Sequence, residues 1–411
     1  MSRTAIVEPR PYLLVNKIQP YAWGTRGKDA FIPRLLGMQA EDDCPYAELW
    51  MGTHPNAPSA VILAGGQLVS LCQLIEQAPA QVLGQAVAER FGGALPFLFK
   101  VLSAAEALSI QVHPNQEQAR VLHARDPLHY PDDNHKPEVA VALDALTALV
   151  GFKPLTGIAQ TLATYPELAT FIGEAATRQV MNAGSSHASE GAELVRLAYA
   201  TLLERSVSHE GALLKAIAQL RQRLGAQPGL SQVEQLFLDL CARYADAGLF
   251  SIFFLNLVHL EKGQGVYLKA GVPHAYLRGN IVECMANSDN VVRVGLTPKF
   301  KDAAALIDIL DYEPGVLPIL EGAPDAEEIV YRAPVSEFQL SRWRLGPGCQ
   351  RHETTGGGVH VLLVTEGELI IGWGAGSQTV RRGQSILIPV CLGQFTLQAS
   401  IPAEVFAVSV A

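Results

Sequence analysis

The feature that most constrains this chain is a change of hydrophobic rhythm at two points along it. From Leu155 to about Leu249, stretches such as EGAELVRLAYATLLER and GALLKAIAQLRQRLG place an apolar residue at every third or fourth position, the period of a helix. Before that block, short apolar runs alternate with Gly, Pro and Asn punctuation, and strand-type patterning returns at Phe250. The helices therefore read as an insertion between two parts of one β domain. A second, smaller jelly roll or sandwich is expected from about residue 320 onward, where VHVLLVTEGELIIGW reads as a hairpin turned at Glu366-Gly367 and SILIPV as a later strand.

Within this frame three further elements are expected. Leu68, Leu71, Leu74 and Ile75 recur at helical spacing and predict a helix over 67–91. Asn115 with Gln118 has the pattern of a capping box and predicts a helix start before Ala119, Val121 and Leu122. The apolar run Leu249 to Leu260 is too short for the roughly 20 residues of a membrane span and reads as a buried strand.

Of the 411 residues, 49% are hydrophobic and 17% charged, enough to bury two or three cores. A formal charge of -9 disfavours a nucleic-acid partner, so any phosphate is expected on a small ligand met by a few local cations. Glu8, Pro9, Arg10 and Pro11 interrupt the opening segment, so no secretion signal is read and a cytoplasmic location is expected, without a membrane. The six cysteines, Cys44, Cys72, Cys241, Cys284, Cys349 and Cys391, form no CxxC pair and read as buried reduced thiols.

The residues that carry chemistry cluster in four segments. In LSIQVHP, Leu108, Ile110 and Val112 alternate with Ser109, Gln111 and His113, so a strand there turns three polar groups to one face. A plain solvent-facing strand has the same pattern. In NHKPEVAVAL, Lys136 and Glu138 share parity, and Glu138 opens an apolar run where an unpaired carboxylate is costly. In GVPHAY, His274 follows a glycine and a proline that can hold an imidazole rigidly. Gln111, His113, Glu138 and His274 together make a plausible site for Zn²⁺, less so for Mn²⁺, Fe²⁺ or Co²⁺, weighed evenly against capped loops and satisfied core histidines.

Other polar residues have two readings each. Arg293 lies between apolar neighbours in VVRVG, a setting in which an arginine normally has an anionic partner. Glu283, Asp289, Lys299 and Lys301 fit either a solvated face or a site. Lys100, in LPFLFKVL, is read as snorkelling to solvent, with a phosphate shared with Ser109 as the alternative. Trp50, near Glu48 and His54, reads as core; Trp23, in a turn, is the better aromatic for stacking on a sugar ring.

The blocks QPYAWG, AELWMGTHPNAPS, LPFLFKVLSAAEALSIQVHPN, YPDDNHKPEVAVAL, GVPHAYLRGNIVECMANSDNVVR and GLTPKFKD, in order across residues 17–302, resemble the type I phosphomannose isomerases. The resemblance implies a fold that is mainly β with a helical insertion: a cupin or jelly-roll catalytic barrel (1–154 and 250–319), an α-helical domain (155–249) and a second C-terminal jelly roll (320–411). It implies that Gln111, His113, Glu138 and His274 hold zinc and that Arg293 is an active-site residue. It also implies interconversion of mannose 6-phosphate and fructose 6-phosphate through an enediolate, supplying GDP-mannose synthesis or mannose use. Lys136, His135 and Glu283 are the candidate bases. Lys299, Ser109, Lys100, Trp23 and Glu48 are the candidate substrate contacts. The sequence departs from general cupins at Lys269, and His352 and His360 lack a following carboxylate and histidine at metal spacing, so one zinc per chain is expected, in a monomer. A cupin iron oxygenase and a non-catalytic sugar-phosphate sensor are the rival readings.

Overall fold

A computed structural model describes residues 7–183, 188–323, 325–374 and 376–411. The first six residues, which open the segment read for a targeting signal, lie outside the described residues. No described helix is long and apolar enough to cross a membrane.

The first β unit is organised around one strand of 13 residues, His274–Ala286. Its C-terminal half lies between Phe97–Ala104 and Glu138–Ala142, with Lys100 and Ala140 both in register with Glu283. Its N-terminal half pairs with Leu146–Phe152 and, at His274, with Gln111. A strand that changes partners half way along bends the sheet into a closed corner. The change falls at Gly279, whose φ is +128° and where a Cβ would stand 2.5 Å from the Ala145 carbonyl oxygen, so only glycine fits.

Alternation then decides what enters the barrel. Phe97, Phe99, Val101, Val139, Val141 and Val282 face outward into one core. Leu102, Ala140, Ala142 and Ile281 face inward into another. Lys100, Glu138 and Glu283 share the inward parity, so three charged side chains point into an otherwise apolar interior and must be satisfied there.

The insertion is helical from Leu155–Thr164 to Gln232–Leu240, as its periodicity predicts, around Leu168, Val195, Tyr199, Leu220 and Phe237. Arg223 grips Glu167 through Nε and Nη2, which donate to the two carboxylate oxygens at 2.6 and 2.9 Å. That hydrogen bonding holds the Glu167 carboxyl below its ordinary pKa, so its stabilisation is present at neutral pH and lost as the pH falls through the depressed value. Glu167→Gln is expected to destabilise the protein by about 0.5–1 kcal/mol at pH 7. Urea denaturation at pH 7 and near pH 3 checks this: the difference from wild type should vanish at the lower pH.

The predicted capping box is present: the Asn115 side chain accepts from the Gln118 amide and the Gln118 side chain accepts from the Asn115 amide, each at 2.9 Å. Three expectations are corrected. The span 67–91 is a strand, Leu68–Ser70, followed by three short helices, because Pro79 starts a new one and Gly84 takes a φ of +100°. The run Leu249 to Leu260 begins in a helical turn, Gly248–Ser251, and only Leu255–Leu260 is strand.

The third correction concerns the hairpin at Glu366-Gly367. His360–Glu366 pairs with Ser385–Ile388 and Ala403–Ser409, whereas Glu368–Trp373 pairs with Gly376–Arg381 and Gln394–Gln398. Gly367 therefore carries the chain from one sheet to the facing one. Its φ is +71°, and a Cβ would collide with the Pro402 carbonyl. A sheet crossing and a hairpin leave the same local pattern, two alternating runs separated by a glycine.

The two sheets enclose Leu362, Leu369, Ile371, Phe395, Leu397 and Val405, forming a C-terminal sandwich. Among the described residues the larger sheet has eight strands, three of them supplied by the N-terminal part of the chain: Tyr12–Val15, Ala60–Ile62 and Leu68–Ser70. Its outer face packs on the barrel through Tyr12, Val361, Leu363 and Phe406 against Val101, Val139 and Val282.

Candidate metal centre and active site

Three strands deliver the four expected ligands to one place. His274 lies opposite Gln111 in register, and Glu138 follows two residues after Lys136 at the start of its strand. Ligand atoms of His113, Glu138 and His274 lie within 4.8 Å of one another, and all three residues are buried. His113 Nε2 is 3.5 Å from Glu138 Oε1, and His274 Nε2 is 3.3 Å from Glu138 Oε2. The Gln111 amide nitrogen is 3.3 Å from His274 Nε2. A half-turn of that amide presents its oxygen instead.

The tautomers follow from what each ring touches. His113 Nδ1 is 2.7 Å from the Asn290 carbonyl and His274 Nδ1 is 3.0 Å from the Val272 carbonyl. A carbonyl only accepts, so both Nδ1 atoms carry hydrogen and both Nε2 lone pairs point into the site, the arrangement of metal-ligating imidazoles. Burial pushes His113 down to about 4, so the ring is neutral near pH 7. Burial opposes the charge of Glu138, but the facing His113 and Lys136 lower its pKa well below the carboxylate range. His113 Nε2 and Glu138 Oε2 are buried with no hydrogen-bond partner. Two inward-facing orphaned acceptors are costly unless a cation joins them, so the donor set fits a divalent metal ion.

Beside the ligands lies a second charged group. Lys100 does not snorkel: it is 6% exposed, with Nζ 2.5 Å from Glu283 and 3.6 Å from Glu48. Trp50 Nε1 donates to Glu48 at 2.5 Å, and the Tyr276 hydroxyl donates to Glu283 at 2.8 Å. Burial opposes the Lys100 charge, but Glu283 and Glu48 outweigh it and raise its pKa. Burial raises the pKa of Glu283 in turn. Trp50 is core at 7% exposure, as expected. Lys136 is also buried, with Nζ 3.6 Å from Glu138 Oε1.

Arg293 is half-buried and lies opposite Gln111 in register on the strand Val292–Gly295. Among the described residues, neither Arg293 nor Lys299 has a carboxylate at ion-pair distance; partial desolvation lowers the pKa of both, and the neighbouring Arg293 lowers that of Lys299 further. Two neighbouring cations without a protein partner, next to a metal centre, mark a place for an anion. Ser109 is half-buried two residues before Gln111. Trp23 sits in its turn stacked on Tyr21, ring centroids 5.8 Å apart.

The loop carrying Lys299 is held from the helical unit. One Asp246 oxygen accepts from the amides of Leu296 and Gly248 at 2.9 and 3.0 Å, and the other from Lys301 Nζ at 3.1 Å. Leu296, φ +56°, is the only non-glycine with positive φ among the described residues, and such strain persists only where the surroundings enforce it. Asp246→Ala is expected to cost about 2 kcal/mol of stability. It should also raise KM more than it lowers kcat, because the displaced loop carries an anion contact rather than the metal. Urea denaturation and steady-state kinetics check both.

Sequence reasoning missed the residues that hold the ligands. The Asn290 side chain donates to the Asp132 and Asn134 carbonyls, and the Asp289 amide donates to Asp132, so the loop bearing the carbonyl that orients His113 is stitched to the segment before Glu138. The only signal was the Asx-rich composition of PDDN and NSDN. His54, 3% exposed, is paired with Asp289 at 3.1 Å.

A β-barrel holding buried His, Glu and His ligands beside unpaired cations defines a metalloenzyme of the cupin class that acts on an anionic substrate. The profile of the family "Phosphomannose isomerase type I, catalytic domain" matches residues 12–155. Mannose-6-phosphate isomerase 2 from Arabidopsis thaliana is 37% identical over 388 residues, covering 90% of this chain and 87% of that protein. The human mannose-6-phosphate isomerase is 37% identical over 380 residues, covering 88% and 89%. A crystal structure of a phosphomannose isomerase mutant from Salmonella typhimurium superposes with a TM-score of 0.84 at 32% identity, over 97% of this chain and 99% of that one. A mannose 6-phosphate isomerase crystallised with zinc and yttrium superposes with a TM-score of 0.83 at 31% identity, over the same shares. The chain belongs to the type I phosphomannose isomerase family, enzymes that interconvert an aldose and a ketose.

Proposed function

We propose that this chain interconverts mannose 6-phosphate and fructose 6-phosphate with one zinc ion held by Gln111, His113, Glu138 and His274. Arg293, set opposite Gln111 without a carboxylate of its own, is the observation that carries the reading. It supplies fixed positive charge beside the metal, where an oxyanion of the substrate must sit. When bound, zinc polarises substrate oxygens as a Lewis acid and favours the charge that builds on them.

The remaining steps fall to side chains. Isomerisation removes a proton from carbon 2 of the open-chain aldose and returns it to carbon 1, so one base must reach both. Both oxygens of Glu283 are engaged, one by Lys100 and one by Tyr276, and His135 Nε2 is engaged by Glu337. Lys136, held 3.6 Å from Glu138, is the base these contacts favour. Lys299 and Ser109 are suited to the phosphate. Lys100 faces two carboxylates, so its role is to hold Glu283 and Glu48 in place. Trp23 can stack on the sugar.

The proposed units are the barrel (1–154 and 250–319), the helical domain (155–249) and the C-terminal jelly roll (320–411), whose larger sheet is completed by the three N-terminal strands Tyr12–Val15, Ala60–Ile62 and Leu68–Ser70. Every proposed ligand comes from one chain, so a monomer suffices. The reaction would supply mannose for GDP-mannose synthesis or mannose use.

Turnover of fructose 6-phosphate, measured before chelation, after it and after zinc is restored, tests the proposal. Activity lost to the chelator and recovered with zinc supports it. A folded, zinc-loaded protein with no turnover would overturn it in favour of a sugar-phosphate sensor, and oxygen uptake with iron would favour the oxygenase.

A further inference from the structure

Among the described residues, the C-terminal sandwich meets the segment that carries His135, Lys136 and Glu138 through the polar contact of Glu337 with His135. Glu337 lies on the connection between Glu328–Tyr331 and Gln339–Leu345, and its Oε1 is 2.8 Å from His135 Nε2. His135 directly precedes Lys136 and stands three residues before Glu138, 202 positions away from Glu337 in the chain.

Several features make this contact built rather than incidental. The second Glu337 oxygen accepts from the Ser336 amide at 3.0 Å and from the Ser336 hydroxyl at 3.3 Å, so the carboxylate is turned with its free oxygen toward His135. The next residue, Phe338, is 1% exposed and anchors the connection in the same core as Val139, the neighbour of Glu138. The Glu337 side chain is only 12% exposed, so the charge-assisted bond is shielded from water on most sides. Burial alone would raise the Glu337 pKa, but the bond from His135 reverses the shift and keeps the carboxylate ionised. The His135 backbone is tied separately, its amide donating to the Gln116 side chain at 3.5 Å.

We infer that Glu337 is a positioning residue for the isomerisation, through which the C-terminal sandwich clamps His135 and so fixes Lys136 against the metal centre. This inference rests on the isomerase reading above. It gives the C-terminal unit a part in the reaction: among its contacts with the barrel, the Glu337 carboxylate is the one that reaches the segment bearing Lys136. Removing the carboxylate frees the His135 ring and lets Lys136 sample positions from which it no longer reaches both carbons.

The test compares Glu337→Ala and Glu337→Gln with Tyr331→Phe. Tyr331 donates from its hydroxyl to the Gly263 carbonyl at 2.7 Å, so its variant loosens the same barrel–sandwich interface without touching His135. Partners that orient active groups are commonly worth about 10–100-fold. Glu337→Ala is therefore expected to lower kcat by about 10-fold or more with KM and zinc content unchanged. Glu337→Gln, whose amide oxygen still accepts from the ring, should keep kcat within about 3-fold of wild type, and Tyr331→Phe should leave it unchanged. Modification of His135 by diethylpyrocarbonate, assigned by peptide mapping, should be several-fold faster in Glu337→Ala than in wild type. A Glu337→Ala enzyme with wild-type kcat, equal losses in Glu337→Ala and Tyr331→Phe, or an unchanged His135 modification rate would each overturn the inference. Absent wild-type turnover would instead strike the isomerase reading, while the modification rate would still decide whether Glu337 clamps His135.

Discussion

Glu138→Gln is expected to fold, to lose its metal and to lose at least about 10³-fold in kcat, because the charge stabilisation an ion supplies, of the order of 4 kcal/mol, disappears with it. The carboxylate is 1% exposed and is the one negative group between His113 and His274, so it alone offsets the charge of a divalent cation among the described ligands. An amide of the same shape keeps the packing but removes the charge, and it leaves Lys136 without its carboxylate at 3.6 Å. Elemental analysis should find well under one metal ion per chain. Circular dichroism should match wild type, which separates loss of the ion from loss of the fold. Full activity with a full complement of metal in Glu138→Gln would remove Glu138 from the ligand set.

Lys100→Met is expected to destabilise the protein by about 3–5 kcal/mol, the cost of leaving one partner of a buried ion pair uncompensated. The ammonium is the cation nearest two buried carboxylates, Glu48 at 3.6 Å and Glu283 at 2.5 Å, and methionine fills its volume without its charge. The pH dependence has a definite sign. Burial already raises the pKa of Glu283, and Lys100 is the group that opposes the rise. Without Lys100 the native state therefore binds a proton more tightly than the unfolded chain does, so the stability of the variant falls as pH rises through that range and recovers as it drops. Denaturant midpoints between pH 5 and 8 should show the gap from wild type widening with pH. The double variant Lys100→Met with Glu283→Gln should regain part of the loss, since it removes the stranded charge. A constant gap at all pH values would mean that Glu283 is not the group left unpaired.

Both predictions concern residues that were visible in the sequence, yet they were visible to different degrees. Glu138 opening an apolar run was an electrostatic problem on sight, and a metal was one solution. Lys100 posed the same problem with two readings, a stem reaching water or a phosphate shared with Ser109, and the structure gives neither but a pair of buried carboxylates. The outcome depended on Glu283, on a strand 183 positions later that lies directly opposite in register. Arg293, between apolar neighbours, called for an anionic partner, and among the described residues no carboxylate stands at ion-pair distance from it, which is why a substrate oxyanion is proposed for it.

Local physics set what was read correctly. A capping box closes within four residues, so Asn115 and Gln118 declare it alone. Helical periodicity over the insertion is a property of each helix. Alternation in LSIQVHP and NHKPEVAVAL placed the polar groups on one face, because a strand turns by half a revolution per residue whatever it pairs with.

What the sequence by itself determined was therefore the alternation of β and helical segments and the strand face shared by Gln111 and His113 and by Lys136 and Glu138. Tertiary structure alone decided whether the runs around Gly367 form a hairpin or cross between sheets, which sheet the strand Tyr12–Val15 joins, and which carboxylates meet Lys100 and His135. Those outcomes depend on pairings between segments outside one another's local sequence window, whose free energy comes from burial and register rather than from any local preference. A pattern with a period of two or of 3.6 residues carries no information about its partner.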